Sequence, residues 1–466
     1  MLDSAEQSLV GRDAALPGLA TLLDGERFVE LLAQRTGVTL DSLVPHYLRY
    51  KPGTRCLAAY TCQLQGQTLS LHAVAHGKDA EVRLGKARAR CWTPGALGEG
   101  VWLEPEQGIA VYAFPNDLRV PALASVATPG SRYGLLRRVF SEHPDLWNGT
   151  LRRLAYKPER RYVAAVEVEG VPRAVLTLYT RAGFSSLRLV SLALAKGRFR
   201  ESVTRLGRSQ RRAAVGYRWV EGEPLHEIIA DPARDLRGAV HAGEALAALH
   251  ARRAPRAPID PKEDVAQTQA SAETVATLLP HLAPRLSEAV GVITRRLSQR
   301  SAAAHIVHGD FYAKQVVVTQ GDATLLDLDA LGWGEPLRDL GVFAAHLVRD
   351  AIGERISFAR AESSHEALLG GYEGAGRSID RDALELYTAA ALLWIAPHFF
   401  RGRDADWPVR TESLLATVEG LLRDEAAPSL RSSDSVASRL DPKLPSLEPS
   451  LDPACAQGPL ARALGE

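Results

Sequence analysis

The sequence predicts an α+β protein, with strand-rich segments in the first half of the chain and helices in the second. Short apolar runs with strand-like alternation, separated by turn residues, recur as far as residue 219. Beyond residue 225, apolar residues recur mostly at helical spacing. With 466 residues, 46% of them hydrophobic, the chain is long enough for two or three packed modules.

The strand-rich half contains an internal repeat. Residues 48–60 align with residues 154–166 at a constant offset of 106 positions, and both copies contain Tyr-Lys-Pro. The flanking predicted elements also correspond: they are helices at 28–35 and 135–142 and strands at 69–75 and 174–180. We therefore interpret this half as two tandem copies of one module, with a chance match of a short motif as the alternative.

In the second half, the predicted helices are 242–250, 271–299 and 339–422, with breaks at Gly370-Gly371 and Pro397. The Pro- and charge-rich stretch 254–267 is predicted to be a loop, and the aperiodic stretch 425–466 a disordered tail. The apolar run 389–396 stops at Pro397, which predicts a core helix too short to span a membrane.

The most informative segment lies between residues 308 and 329. His308-Gly309-Asp310 is followed by Gln315 and then by a predicted hairpin at 316–326, which leads into Asp327. A hydroxyl group that attacks a nucleotide γ-phosphate needs a carboxylate to accept or orient its proton. It also needs Mg²⁺, which is held by oxygen ligands. The pattern therefore offers a base and metal-ligand candidates for phosphoryl transfer.

This segment, together with Glu335-Pro336-Leu337-Arg338-Asp339-Leu340-Gly341, resembles the aminoglycoside phosphotransferase-like kinases. The resemblance implies a protein-kinase-like bilobal fold with a small β-rich lobe and a large helical lobe. It also implies ATP and Mg²⁺ as cofactors, and phosphorylation of a hydroxyl group on a small molecule. By motif, Asp310 is the catalytic base and Asp327 the principal Mg²⁺ ligand.

The same resemblance implies roles for four further residues. Gln315 stands at the second-ligand position, where the kinase pattern has Asn, and its side chain keeps the amide oxygen. Asp329 is a further ligand candidate, with a substrate contact or a solvated edge residue as alternatives. His308 and Asp339 are expected to brace the catalytic loop.

Nucleotide contacts are expected in the second repeat. Its turn carries Lys157, Arg160 and Arg161, whose side chains can hold phosphates in place of a Gly-rich loop. A solvated basic hairpin tip is the alternative. The segment that contains Val220 and Glu221 resembles the family's hinge, where backbone groups meet the adenine.

These assignments divide the chain into four predicted parts. They are a small-lobe-like repeat (1–130), a nucleotide-binding small lobe (131–222), a helical catalytic lobe (223–424) and a tail (425–466). The role of the first repeat is left open between shaping the pocket, offering an interaction surface and mediating dimerisation.

Two departures from the family pattern favour a rival function. No Lys stands near Thr177, where the third strand should carry one, and the predicted helix 184–195 has no acid to pair with it. Lys196 and Lys157 are possible substitutes. Loss of this ion pair weakens phosphate positioning. The rival is a catalytically impaired pseudokinase that acts as a nucleotide-binding or regulatory protein; a scaffold that binds no nucleotide would leave the acids unexplained.

The composition of the chain limits the classes of molecule that we expect the protein to bind. The net charge of +1 indicates neither nucleic acid nor an anionic membrane as a partner. The four cysteines show no disulfide or metal spacing, and the amino terminus has no signal-peptide pattern, so we expect a cytoplasmic protein. The expected partner is a small-molecule hydroxyl acceptor, such as a sugar or an aminoglycoside-like compound. The oligomeric state is open.

Overall fold

The computed structural model describes residues 2–194, 203–252, 261–300 and 305–423. Within these residues the structure is α+β, as predicted, and has three consecutive parts. Two parts are each built on an antiparallel sheet, and the third is mainly helical. The predicted tail at 425–466 lies outside the described residues.

The first part is a sheet with strand order β1-β2-β3-β5-β4, packed against its own helices. Its elements are α1 (Ser4–Arg12), α2 (Leu19–Leu23), α3 (Gly25–Thr36), β1 (Ser42–Lys51), β2 (Arg55–Leu64), β3 (Gln67–His76), α4 (Ala80–Arg88), β4 (Val101–Glu104) and β5 (Ile109–Ala113). Helix α3 begins at the N-cap Asp24, whose side chain accepts a hydrogen bond from the Glu26 N–H. It ends at Gly37, whose left-handed φ of 68° is unstrained because glycine has no Cβ atom.

The second part has the equivalent strand order, β6-β7-β8-β10-β9. Its elements are α5 (Pro129–Val139), β6 (Thr150–Lys157), β7 (Arg161–Val168), β8 (Val171–Tyr179), α6 (Arg181–Leu194), β9 (Arg205–Ser209) and β10 (Ala214–Arg218). In both sheets a helix connects the third strand to the fourth. Both first strands carry an irregularity, between Pro45 and Tyr47 in β1 and between Arg153 and Ala155 in β6.

The turn after the first strand is held in the same way in both sheets. In the first, the Asp13 carboxylate accepts hydrogen bonds from the Tyr50 hydroxyl (2.7 Å) and the Gly53 N–H (2.9 Å). In the second, Asp117 accepts the corresponding bonds from Tyr156 and the Glu159 N–H, each at 2.8 Å. The sequence around both aspartates reads Asp-x-x-Leu/Val-Pro-x-Leu-Ala, a correspondence upstream of the Tyr-Lys-Pro repeat.

Glu159 joins the two sheets. It has the left-handed φ of 57° that its counterpart Gly53 also has (60°). Its buried carboxylate forms ion pairs with Arg55 (2.7 Å) and Arg49 (3.0 Å) of the first sheet. A turn residue of the second part therefore neutralises two arginines of the first, and its unfavourable backbone conformation is maintained by these tertiary contacts.

The third part contains short strands and the remaining helices. They are β11 (Glu223–Pro224), α7 (Leu225–Ala230), α8 (Arg237–His250), α9 (Lys262–Leu278), α10 (Ala283–Ser298), β12 (His305–Val307), β13 (Val316–Thr319), β14 (Asp322–Leu325), β15 (Gly332–Gly334), α11 (Pro336–Ile352), α12 (Phe358–Gly374), α13 (Arg381–Ile395), α14 (His398–Arg401) and α15 (Trp407–Arg423). Strands β13 and β14 form the predicted hairpin, and β11 pairs with β13.

Two helix predictions were wrong. Helix α9 begins at Lys262, inside the predicted loop, because its acidic first turn suits a helix N-terminus and its apolar face is buried. Helix α12 continues through Gly370-Gly371, where a break was predicted. Gly371 is there for close packing: a Cβ atom would lie 2.0 Å from the Val240 carbonyl oxygen of α8. Gly243 of α8 is equally close to α12, at 2.1 Å from the Leu368 carbonyl oxygen.

The segment Arg381–Arg401 is long and apolar enough to cross a membrane by length and composition alone. Within it α13 ends at Ile395 and α14 begins at His398, so the predicted break at Pro397 is confirmed. In the structure 89% of its most apolar window is buried inside the protein, as is typical of a core helix. It packs against α11, α9 and α15.

Candidate active site

The loop that carries Asp310 is fixed by buried hydrogen bonds to Asp339, at the start of α11. The Asp339 carboxylate is fully buried and accepts bonds from the His308 N–H (2.6 Å), the Gly309 N–H (2.8 Å) and His250 Nε2 (2.9 Å). Burial opposes ionisation, but the hydrogen bonds outweigh it, so the pKa of Asp339 is lowered. An ionised Asp339 therefore holds the loop.

His308 adds a second brace, because its Nε2 lies 2.8 Å from the Leu326 carbonyl oxygen just before Asp327. Gly309 has a φ of 85°, and a Cβ atom there would lie 2.3 Å from the Ala330 carbonyl oxygen. Only glycine fits this close approach. The loop with Asp310 and the end of the hairpin with Asp327 are thus tied together.

Asp310 lines a large cavity of about 900 Å³. Burial, and then the negative charge of Asp327, raise the pKa of Asp310 despite nearby His308 and Lys157. A carboxylate whose pKa is raised toward neutrality is a better proton acceptor than an ordinary aspartate. The arrangement suits a base that faces a bound hydroxyl group.

Asp327 is paired with Arg161, which the sequence analysis assigned to nucleotide phosphates. Arg161, the first residue of β7, lies 2.6 Å and 2.8 Å from the two Asp327 oxygens and 3.3 Å from Asp329. Burial opposes ionisation of Asp327, but Arg161 outweighs it and lowers the pKa of Asp327. Asp327 has a left-handed φ of 49°, an uncommon conformation that aspartate tolerates better than most residues.

Asp329 lies beside this ion pair and also accepts a hydrogen bond from the Tyr179 hydroxyl at 3.0 Å. Burial and the adjacent Asp327 charge raise the pKa of Asp329 to about 7. Arg161 therefore compensates two neighbouring acids, one of which binds a proton readily.

Gln315 has a side-chain oxygen that could bind a metal ion. Its side chain is buried, and its Oε1 atom has no hydrogen-bond partner. A buried amide oxygen without a partner is unfavourable unless something binds it. In the part of the chain that the structure describes, no three His, Cys, Asp or Glu side chains converge as a metal site. The oxygen set of Asp327, Gln315 and Asp329 fits a hard cation such as Mg²⁺, once Arg161 releases Asp327.

The three cations of the 157–161 turn have different surroundings. Lys157 lines the cavity; burial and then its neighbours Arg161 and Arg160 lower the pKa of Lys157 to about 8. Arg160 is exposed at the cavity wall. Arg161 instead points to Asp327, so the turn is not simply a solvated hairpin tip.

The two hinge residues also differ. Val220 lines a small apolar pocket of about 50 Å³ between the second sheet and the end of the hairpin, and Asp327 also lines it. Other residues of its lining are Val163, Val175, Thr177, Tyr217 and Leu326. Glu221 is exposed and does not line this pocket.

Sequence reasoning missed the role of Arg161 as partner of Asp327. It looked for a cation in the third strand, near Thr177, whereas Arg161 begins the second strand and pairs in register with Tyr179. Lys196, a suggested substitute, lies outside the described residues. The sequence holds one signal, an arginine at the same position of both repeats, Arg55 and Arg161. In the structure Arg55 likewise pairs with an acid of the following part, Glu159.

The first part lines the large cavity, which agrees with shaping the pocket, one of the three roles that the sequence left open for it. Its contributions are His46, Tyr47, Ala59, Thr61, Ser70 and Leu71. The turn of the second part and residues of the third part form the other walls. Asp310 belongs to the third part and lies on the loop between β12 and β13. His398, Phe399 and Arg401 also line this space, and Phe399 is largely buried.

The sequence profile of the phosphotransferase enzyme family matches residues 173–385. No curated protein matches the sequence. Solved structures with a similar fold include a choline/ethanolamine kinase family protein from Mesorhizobium loti, with 16% identity over 63% of this chain and 94% of that chain (TM-score 0.45). An ADP-bound aminoglycoside phosphotransferase, APH(2'')-Ib, has 14% identity over 64% and 97% (TM-score 0.41). Ethanolamine kinase from Plasmodium vivax has 10% identity over 63% and 89% (TM-score 0.44).

The matched segment starts in β8, includes the loop with Asp310 and Asp327, and ends in α13. It therefore contains every motif on which the resemblance was based, while the first part of the chain lies outside it. Residues 173–385 match the phosphotransferase enzyme family, and the resemblance to the aminoglycoside phosphotransferase-like kinases is confirmed.

Proposed function

We propose that the protein is a phosphotransferase that moves the γ-phosphoryl group of ATP to a hydroxyl group of a small molecule. One observation carries the proposal. Asp310 lines a cavity large enough for a small polar molecule, on a loop that Asp339 and His308 hold beside Asp327. A carboxylate exposed to a cavity with a second, largely buried carboxylate nearby is more typical of a functional site than of a structural loop.

In the proposed reaction the acceptor oxygen attacks the γ-phosphorus, and its proton passes to Asp310. The new O–P bond forms as the bond between the γ-phosphorus and the bridging oxygen breaks, and ADP leaves with that oxygen. Asp310 is suited to this role because its raised pKa favours proton uptake. Lys157, beside Asp310 and Arg160, supplies positive charge for the transferring group.

Asp327 and Gln315, with Asp329 as a further candidate, would hold Mg²⁺, which neutralises phosphate charge when it is bound. Arg161 is then available for the phosphates, so that it replaces the missing third-strand lysine. Val220 and the apolar residues around it would contact the base, and we keep the proposed contact to the Glu221 backbone.

We further propose that the first two parts are tandem copies of one small-lobe module, at residues 13–113 and 117–218. Equal strand order, an irregularity in each first strand and the paired Asp13 and Asp117 networks support this. The boundary then lies before residue 117 instead of at 130, because Asp117 holds a turn of the second sheet. The helical lobe follows from residue 223.

The copies share a mode of packing as well. Arg161 of the second copy pairs with Asp327 of the helical lobe, and Arg55 of the first copy pairs with Glu159 of the second. The face of the first copy that corresponds to the nucleotide side of the second is thus covered by the second. We propose that only the second copy binds nucleotide, and that the first shapes the acceptor cavity.

The test is calorimetric titration of Mg-ATP into the full chain and into Asp327→Ala, with Asp322→Ala as the control. Asp322 is an exposed acid of the same hairpin. We expect Asp327→Ala to weaken Mg-dependent binding by about tenfold or more, since it removes a charged ligand, and Asp322→Ala to leave binding unchanged. Equal binding in all three proteins, each folded by circular dichroism, would contradict the proposed metal site.

A catalytically impaired pseudokinase is the second candidate, and the ion pair of Arg161 with Asp327 is the observation that favours it. Under this alternative the protein binds nucleotide but does not turn it over. ADP release with a panel of sugars and sugar derivatives separates the two. Acceptor-dependent release that Asp310→Asn reduces by ~100-fold or more supports the enzyme, whereas nucleotide binding without release for any acceptor supports the pseudokinase.

A further inference from the structure

The large cavity is strongly basic. Seven arginine and lysine side chains line it against two carboxylates. The cations are Arg153, Lys157, Arg160, Arg338, Arg349, Arg355 and Arg401, and the acids are Asp310 and Asp404. A cavity with this balance attracts anions and repels cations.

Some of these charges are compensated within the protein. Arg338 pairs with Asp264 at 2.8 Å, and both Arg349 and Arg355 pair with Asp350, at 2.7 Å and 3.0 Å. Asp404 is itself neutralised by Arg410 at 2.6 Å. Such pairs contribute little field to the cavity.

The other four cations, Arg153, Lys157, Arg160 and Arg401, form no ion pair with any residue in the described ranges. Asp310 is the one acid left in the lining to oppose them, and it is required to stay available as a base. The positive charge is therefore not an accident of surface arginines whose partners lie nearby. It is concentrated where the acceptor would bind.

One of these four, Arg153, lies on the side of the cavity that the first part forms. Arg153 of β6 donates a hydrogen bond to the Ser70 hydroxyl of β3 at 2.6 Å, and its guanidinium lies over the Phe114 ring at 5.5 Å. Both contacts orient the group without neutralising it. Ser70 and Arg153 line the cavity together.

Arg401 approaches from the helical lobe. It is the last residue of α14, which packs against β1, and it lies in the electrostatic range of Tyr47, Arg49 and Arg160. Burial, then Arg160 and Arg49, lower the pKa of Arg401. A partly buried arginine beside another unpaired arginine is unfavourable unless an anion joins them.

Neither Arg153 nor Arg401 lines the small pocket between the second sheet and the hairpin, where Val220 lies. They are therefore separate from the proposed base-binding region, and only Lys157 and Arg160 belong to the turn expected to meet nucleotide phosphates. This leaves Arg153 and Arg401 for the acceptor.

We infer that the acceptor is an anionic polyol, a sugar or related compound that carries a phosphate or carboxylate group, with that group held by Arg401 and Arg153 and its hydroxyl group presented to Asp310. This inference rests on the proposed function for the identity of the cavity as an acceptor site. It disfavours the aminoglycoside-like acceptors considered from the resemblance, because those carry several positive charges.

The test is calorimetric titration of the full chain with inorganic phosphate, glucose 6-phosphate, gluconate, glucose and kanamycin. Each titration is done with and without a saturating non-hydrolysable ATP analogue, which fills the nucleotide phosphate site. The variants are Arg401→Gln, Arg153→Gln and, to keep the charge, Arg401→Lys. Arg137→Gln is the matched control, since Arg137 is an exposed arginine of α5 outside the cavity.

We expect at least one of the three anions to bind in the presence of the ATP analogue, more tightly than glucose or kanamycin. Arg401→Gln and Arg153→Gln should each weaken this binding by about tenfold or more. Arg401→Lys should restore part of it, and Arg137→Gln should not change it. Thermal unfolding of each variant establishes that it is folded.

Three outcomes overturn the inference: no anion binds better to the unmodified chain than to Arg401→Gln, the ATP analogue abolishes all anion binding, or kanamycin binds most tightly. None of these requires turnover. Failure of the proposed function appears separately, as anion binding that depends on Arg401 in a chain that never releases ADP.

Discussion

Arg161 and Asp327 show how a single residue changes the interpretation of a motif. The loop from His308 to Asp327 retains the acids that phosphoryl transfer uses, yet the principal ligand candidate already has a cationic partner. Two buried acids side by side are unfavourable, and an arginine between them lowers that cost in the absence of another cation. Under the proposed function, this arginine turns to a phosphate when Mg²⁺ binds Asp327.

Lys157 offers a pH-dependent prediction at the scale of one residue. Because burial and the neighbouring arginines lower its pKa to about 8, its amine is protonated and unreactive below that pH and becomes nucleophilic above it. Labelling with an amine-reactive ester, followed by peptide mapping between pH 6.5 and 9.5, should give half-maximal modification of Lys157 near pH 8. Bound Mg-ATP should protect it.

Exposed Lys86 of α4 is the internal reference for the labelling rate. If Lys157 is labelled no faster than Lys86 at pH 8, or if the nucleotide does not protect it, the residue is not the cation proposed to face the transferring phosphate.

At the scale of elements, the two sheets reuse one solution to the same problem. Each first strand ends in a turn where a backbone N–H and a tyrosine hydroxyl point inward. One aspartate carboxylate accepts a hydrogen bond from each of them. A buried donor without a partner is costly, so the aspartate is needed wherever this turn is packed. Gly53 and Glu159 fill the left-handed position of the turn, and only Glu159 needs tertiary contacts to hold it there.

This equivalence predicts matched effects of mutation. Asp13→Ala and Asp117→Ala each remove the two hydrogen bonds that hold the turn, and Asp117→Ala also removes those from the Arg119 and Val120 N–H groups. Each should lower the free energy of unfolding by about 2 kcal/mol or more. Asp79→Ala, which removes an exposed carboxylate paired with Arg83, should change it by less than about 0.5 kcal/mol. Urea denaturation followed by tryptophan fluorescence measures all three. A change at Asp117 as small as that at Asp79 would show that the network does not support the turn.

At the scale of the whole molecule, the cavity exists only because three parts meet. The first part supplies one wall, the turn at 157–161 a second, and the helical lobe the remainder together with Asp310. The ion pairs of Glu159 with Arg49 and Arg55 are the charged contacts between the first two parts. Docking of the first part therefore controls the shape of the acceptor site.

Removing this contact should loosen the first part selectively. Glu159→Ala leaves two partly buried arginines without their partner, and we expect a loss of about 3 kcal/mol in stability. Hydrogen exchange measured by mass spectrometry should increase in β1 and β2 and remain unchanged in α11 and α13. Glu167→Ala is the control, because it breaks the Arg152 ion pair within the second sheet without contacting the first part. Equal exchange in both variants would mean that Glu159 does not hold the first part in place.

Much of the catalytic loop could be predicted from the sequence because its geometry is local. His308, Asp310, Gln315 and Asp327 lie within a short loop and hairpin, so their spacing along the chain determines which side chains meet. The brace by Asp339 was also predicted, since a single helix start returns it to the loop. The roles of these residues as base and metal ligands stay predictions.

Except for the start of α9, whose acidic first turn is a local signal, the errors and omissions share one cause, which is contact between distant segments. Gly371 was read as a helix break because its close contact with α8 has no trace in its neighbours along the chain. Arg161 was assigned to phosphate because nothing local indicates that Asp327 lies opposite it. The Asp13 and Asp117 repeat was visible in the sequence, but its meaning depends on the tyrosine and turn N–H that it meets in the fold.

By itself the sequence determined the α+β class, the match of its 173–385 segment to a phosphotransferase family and the residues of the loop that would perform the chemistry. These follow from patterns within short stretches, where chain connectivity keeps residues close. The tertiary structure alone decided that Arg161 neutralises Asp327, that the first part walls the cavity and that unpaired arginines gather there. Those features depend on packing of segments far apart in the chain, which no local pattern specifies.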